Sequence, residues 1–179
     1  MLIGRTRINL YLLCFAGLAA VLVAGCRTGD SRDKQFSALR LHMEATSDAM
    51  SFSRVVPIYR ENPMSLRVDR DPFLTEVNVA SAKVVDEVGG FVIQIQFDRR
   101  GAWLLEQYTT SNPGRRVAIY SEFGGKGFRE ARWLGAPTIR RRISDGLFTF
   151  TPDATRAEAE EVVLGLNNLA RKLETASKW

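Results

Sequence analysis

The sequence predicts an α+β fold, a mainly antiparallel sheet with two helices packed on one face. Phe91, Ile93, Ile95 and Phe97 alternate with Val92, Gln94, Gln96 and Asp98, the period of two that marks a strand. Near the C-terminus, Ala159, Val162, Val163, Leu166, Leu169, Ala170 and Leu173 form one apolar stripe at helical spacing. From Phe91 onward the elements read strand, helix, strand, strand, strand, helix, and an apolar stripe of this kind must cover a sheet.

The first 26 residues have a different character. Arg5 and Arg7 precede an apolar run over residues 8–23 in which Asn9 is the only strongly polar member, and Val23-Ala24-Gly25-Cys26 closes it. A positive start, a short apolar core and small residues before a cleavage point describe a secretory signal. At 16 residues the run is shorter than the ~18–20 that cross a bilayer as a helix. The cysteine after the small pair makes the segment resemble a bacterial lipoprotein signal. Residues 1–25 are then removed, and Cys26 carries the lipid that ties the protein to a membrane. Residues 26–36 hold the cysteine and a polar spacer, and residues 37–179 form one domain.

Of 179 residues, 25 are Lys or Arg and 20 are Asp or Glu, for a net charge of +5. The signal takes two of the arginines and no acid, so the mature domain is only mildly basic. Together with export, that excludes nucleic acid as a partner. Cys14 lies in the apolar run and Cys26 is lipidated, which leaves the domain without a thiol, a disulfide or a cysteine metal ligand. No metal or other cofactor is expected.

Along the domain, Leu39, Leu41 and Met43 alternate with Arg40, His42 and Glu44 as a half-buried strand whose polar side faces solvent. Residues 46–72 are irregular, with Pro57, Pro63 and Pro72, and two short strands are foreseen at Val55-Val56 and at 66–68. Gly89-Gly90 makes a turn before the strand at Phe91. Leu104, Leu105 and Tyr108 share a helix face, Asp98 caps the helix start, and Asn112-Pro113-Gly114 stops it. Residues 116–123 return to strand, with Val117, Ile119 and Ser121 on one face. Residues 138–143 and 147–150 flank Ser144-Asp145-Gly146, and Asp-Gly favours a tight turn between two antiparallel strands. Thr155 and Glu158 match a capping box at the head of the last helix.

The residues from 71 to 173 resemble the head part of the first periplasmic domain of SecD, an accessory subunit of the bacterial protein-export translocase. Pro72-Phe73-Leu74-Thr75 followed by residues 80–84 is similar to that family's "P-x-L-T-…-A-x-V" run. Residues 91–101 are similar to its strand ending in "F-D-x-x-G". Thr109, Asn112, Gly114, Arg115 and Ala118-Ile119 resemble "T-x-x-N-x-G-R-x-x-A-I". Ala136-Pro137, Ile139, Ile143 and Gly146 resemble "A-P-x-I-…-I-x-x-G". Phe150 with Ala157 and Glu158 stands near the family's "F-T-x-E-E-A" helix start. The resemblance implies a periplasm-facing α+β module that contacts exported chains. SecD itself couples proton flow to export through transmembrane helices shared with SecF, and no such helix is expected after Cys26. The family's short "L-D-G" link is replaced here by residues 121–135, a longer segment rich in Gly, Arg and aromatics.

Candidate chemistry is sparse. His42, the only histidine, lacks converging partners for general-base or metal work and reads as a solvent-facing strand residue. Gly124-Gly125-Lys126-Gly127 has Phe128 where a phosphate loop needs Ser or Thr, so it reads as a hairpin tip. Glu158, Glu160 and Glu161 suit a helix start rather than a carboxylate pair. The domain is therefore not expected to be an enzyme.

Arg140, Arg141 and Arg142 form the most suggestive cluster. On a strand, Arg141 would share a face with Ile139 and Ile143, and a solvated sheet face is the simplest account. With Arg115, Arg116, Arg129 and Arg132 alongside, the run would become a patch for anionic headgroups or acidic segments. Phe123, Phe128 and Trp133 offer a second docking surface, or simply pack inward. Two functions compete. One is a lipid-tethered binding module contacting an exported polypeptide or an envelope protein. The other is a structural or regulatory envelope lipoprotein that binds a glycan, lipid or small ligand. Arg27 after the lipidated cysteine, with no Asp there, favours the outer membrane by resemblance to enteric sorting rules.

Overall fold

The structure is a computed structural model that describes residues 34–46, 52–125 and 129–177. Cys26, the signal segment, most of the spacer and Phe128 lie outside the described residues. Within the described residues, nine strands and two α-helices follow in order: β1 (Ala38–Met43), β2 (Ser53–Ile58), β3 (Met64–Asp69), β4 (Leu74–Thr75), β5 (Val79–Glu87), β6 (Gly90–Phe97), α1 (Arg99–Ser111), β7 (Val117–Phe123), β8 (Glu130–Gly135), β9 (Leu147–Phe150) and α2 (Arg156–Ala176). Every strand pairing is antiparallel. The strands divide into a four-stranded sheet of order β4-β1-β7-β8, a hairpin β2-β3 and a three-stranded sheet of order β5-β6-β9. The α+β class stands, with its strands shared among three sheets.

One apolar cluster joins the two larger sheets to both helices. Leu39, Leu41 and Met43 stand opposite Ser121, Ile119 and Val117 across β1 and β7. They meet Ile93, Ile95, Phe148 and Phe150 of the other sheet, Leu105 of α1, and Ala159, Val162 and Leu166 of α2. Burying side chains of this size stabilises by roughly 1.5–3 kcal/mol each. The helix ends are set by their caps. The Asp98 carboxylate accepts the Gly101 N–H at 2.6 Å, and Thr155 and Glu158 close a reciprocal capping box. The stripe on α2 fades at its far end, where Leu173 is exposed.

A second cluster lies on the other face of the four-stranded sheet. Val56 and Ile58 of β2, and Leu66 and Val68 of β3, cover Ala118 and Ala136, with Trp133 packed at the side. This overturns the reading of His42 as solvent-facing: it is 1% exposed, beneath the hairpin. Because a backbone carbonyl only accepts, His42 Nδ1 carries the proton and donates to Asp69 O at 2.9 Å. Nε2 is buried without a hydrogen-bond partner. The ring lies 5.3 Å from the Trp133 indole. Alternation along β1 indicates two faces but not that a distant hairpin covers the polar one.

The paired strands foreseen around Ser144-Asp145-Gly146 do not form. β9 pairs with β6 instead, Phe150 opposite Ile93. Residues 139–146 are irregular because their backbone groups are taken elsewhere. Ile139 donates to Arg115 O at 2.8 Å and accepts from Gly114 N at 2.9 Å, and Ile143 N donates to Thr109 Oγ1 at 3.0 Å. The missing strand is β8, inside the Gly-rich segment, which pairs with β7 from Ile119 to Phe123.

Candidate functional site

An open cleft of about 600 Å³ runs along β9, between that strand and the irregular segment carrying Arg140, Arg141 and Arg142. Two anchors hold the segment in place. Ile139 is buried and Ile143 packs against the main core. With both ends pinned and no strand geometry between them, all three arginines are exposed, in contrast to the expected alternation that grouped Arg141 with the isoleucines. Arg142 forms an ion pair with Glu106 of α1. Arg140 and Arg141 make no ion pair among the described residues. The carboxylate of Asp145, at the far end of the segment, accepts the Leu147 N–H at 3.0 Å and is committed to the turn.

The opposite wall is a sheet edge. Among the described residues, β9 has β6 as its single strand neighbour. At the other edge of the same sheet, Asn167 of α2 donates to Ala82 O at 2.9 Å and accepts from Ala82 N at 2.8 Å, so part of the β5 edge is occupied. The cleft thus offers a strand edge with no second strand neighbour, its Leu147 amide taken by Asp145, beside two guanidinium groups without a carboxylate partner among the described residues. Such a surface can accept an extended chain through main-chain hydrogen bonds and favour acidic side chains at its rim.

The remaining predicted site residues are placed elsewhere. Phe123 is 1% exposed and belongs to the main core, with the Arg132 guanidinium 5.3 Å from its ring centroid, so it offers no docking surface. Trp133 packs inward between His42 and Tyr120, and Arg54 stacks over it at 5.3 Å. Arg115 and Arg116 adjoin the cleft through the Ile139 backbone bonds and the Thr138 bridge. Arg132 does not join them: it pairs with Glu130 and, at 2.8 Å, with Glu158. Burial pushes the Glu158 carboxyl up, but hydrogen bonds from Thr155 and Arg132 outweigh it and hold the group below its ordinary value. Arg129 reaches the Phe36 carbonyl at 3.4 Å.

Thr109 and Glu106, which fix the arginine segment from α1, were not legible as site residues. Their spacing from Leu105 only places them on or near the buried face of the helix. No group of three or more His, Cys, Asp or Glu side chains able to hold a metal occurs among the described residues. No described helix is long and apolar enough to cross a membrane.

Comparison with known proteins bears on this architecture. A solved structure titled "Structure and function of a membrane component SecDF that enhances protein export" matches with a TM-score of 0.52 and 22% identity, over 75% of this chain and 63% of that one. This chain therefore spans less than two thirds of that relative, and the likeness concerns the fold. A Thermus thermophilus SecDF structure, described as a translocon-associated membrane protein, matches with a TM-score of 0.40 and 16% identity, over 90% of this chain and 34% of that one. Curated protein sequences give no significant match. The family profile of the SecDF, P1 head subdomain covers residues 53–170, from β2 to the last turns of α2. The chain belongs to the SecDF P1 head subdomain family.

Proposed function

We propose that this protein is a non-catalytic binding module of the bacterial cell envelope, carried on a lipid at Cys26. Its ligand is an extended polypeptide, an exported chain or an envelope protein, held in the cleft beside β9. The observation that carries this reading is the β9 edge, without a second strand neighbour among the described residues, lining one cleft with Arg140 and Arg141, which have no ion-pair partner among those residues. A strand edge gives affinity for any extended chain, and the arginines bias it toward acidic ones. Kinship with a membrane component that enhances protein export supports a polypeptide ligand. The charged start, apolar run and Ala24-Gly25-Cys26 ending support the tether and a periplasm-facing position, with the outer membrane favoured by Arg27.

A photo-crosslinking residue in place of Arg141 tests the reading in intact cells. Crosslinks to unfolded secretory or envelope polypeptides are expected, and Arg140→Glu with Arg141→Glu should reduce them at unchanged thermal stability. Recovery of no polypeptide above the same probe placed on the α2 surface would sink it. Incorporation of a clickable fatty acid that depends on Cys26 tests the tether separately. The cleft volume of about 600 Å³ also falls within the range of small-ligand sites, which favours a glycan, lipid or small ligand as the second reading. Melting shifts across a panel of envelope components, without polypeptide crosslinks, would select that one.

A further inference from the structure

α1 carries a face that its own packing leaves unused. Leu105 and Thr109 are buried, and Leu104 and Tyr108 lie against the core. Arg99, Arg100, Trp103 and Gln107 are exposed and, at spacings of three and four, share the other side of the helix. Trp103 is 61% exposed, the largest apolar group that α1 gives to solvent. Arg99 and Arg100 stand in a first turn that holds no acid, where the helix dipole disfavours cations. Neither arginine forms an ion pair among the described residues. The acids of α1 and its cap are already engaged, Glu106 by Arg142 and Asp98 by the Gly101 amide. Two arginines placed against the dipole and an exposed indole between them break local rules with no return inside the domain. That combination locates their partner outside it.

We infer that this face of α1 docks on an anionic phospholipid surface. An indole is apolar along its body and polar at its N–H, and it settles at the depth of lipid headgroups. Guanidinium groups beside it donate in pairs to phosphate oxygens and are drawn to a negative leaflet. The exposed side of a helix provides no groove and no strand edge to fix the register of a peptide, whereas a bilayer surface requires neither. The inference goes beyond the polypeptide reading and shares none of its residues.

The full chain, with Trp133→Phe and Trp179→Phe so that Trp103 is the sole indole, is bound to vesicles whose acyl chains carry bromine. Trp103 emission should be quenched and blue-shifted on phosphatidylcholine with phosphatidylglycerol, and far less on phosphatidylcholine alone. Arg99→Gln with Arg100→Gln should lower the docked-to-free ratio roughly 25-fold, at about a factor of five for each basic residue near an anionic leaflet. High salt should do the same. Equal quenching on both vesicles, or quenching that survives the double substitution, would overturn the inference. So would a blue shift of Trp103 produced by an acidic peptide and not by anionic vesicles.

Discussion

His42 shows how a single side chain depends on what covers it. Removal from water is the main cause of its lowered pKa; Arg54 and Arg40 lower it further, and the bond to Asp69 O works in the opposite direction. A histidine whose folded pKa lies below its unfolded 6.5 contributes stability above pH 6.5, and that contribution is lost as the pH falls from there toward the folded value. The urea midpoint should therefore drop on acidification below about 6.5. His42→Asn keeps a donor for Asp69 O and should flatten the profile in that window while lowering stability at neutral pH by about 1–3 kcal/mol. A profile that keeps its slope in His42→Asn would assign the slope to other groups. Gly165 makes the same point for backbone approach. A Cβ there would meet the Ser37 N at 2.5 Å and the Phe36 C at 2.9 Å. Ala is ordinarily the better residue in a helix by about 0.5–1 kcal/mol. Gly165→Ala should nevertheless destabilise the protein, because the chain before β1 must lift off α2. Calorimetry shows the sign.

Among the elements, the two helices are specified locally and the arginine segment is not. Asp98 and Thr155 each satisfy amides that a helix start leaves open. Asp98→Ala and Thr155→Ala should each cost about 1 kcal/mol in chemical denaturation. Thr155→Ala also frees Glu158 from one of the bonds that hold its carboxyl down, so part of the loss should disappear below the ordinary carboxylate range. The segment over residues 138–143 has the alternation of a strand, yet among the described residues it forms only one isolated antiparallel bridge, Thr138 with Arg116. Thr109, Arg115 and Gly114 take its backbone groups, and β9 is already paired with β6. Thr109→Val removes the acceptor for the Ile143 amide at nearly constant volume. It should speed hydrogen exchange at Ile143 and loosen the Arg140–Arg142 rim more than it lowers global stability.

At the scale of the whole molecule, two apolar clusters of unequal size lie on the two faces of the four-stranded sheet. The hairpin β2-β3 belongs to the smaller one. It is tied at its turn to the head of α2, where the Arg60 N–H donates to Asp153 Oδ2 at 2.7 Å. Regions with fewer buried apolar contacts open at lower free energy. Ile58→Ala should cost about 2–5 kcal/mol in local opening, seen as faster exchange across β2 and β3, with β5 and β6 little changed. Uniform acceleration across both clusters would mean that the domain opens only as one unit.

Short-range signals in the chain specify the α+β class, the caps of both helices, the end of α1 at Asn112, the β6 strand and the family. Each of these rests on short-range periodicity, on side chains that bond to their own turn, or on motifs in serial order. Long-range contacts settle that His42 is buried, that Phe123 and Trp133 pack inward, and that a glycine-rich segment provides β8. The same contacts put Arg140 and Arg141 in one cleft with the β9 edge. Those outcomes depend on which distant segment takes each backbone hydrogen bond and covers each sheet face. Neither choice leaves a periodic trace in the chain that it covers.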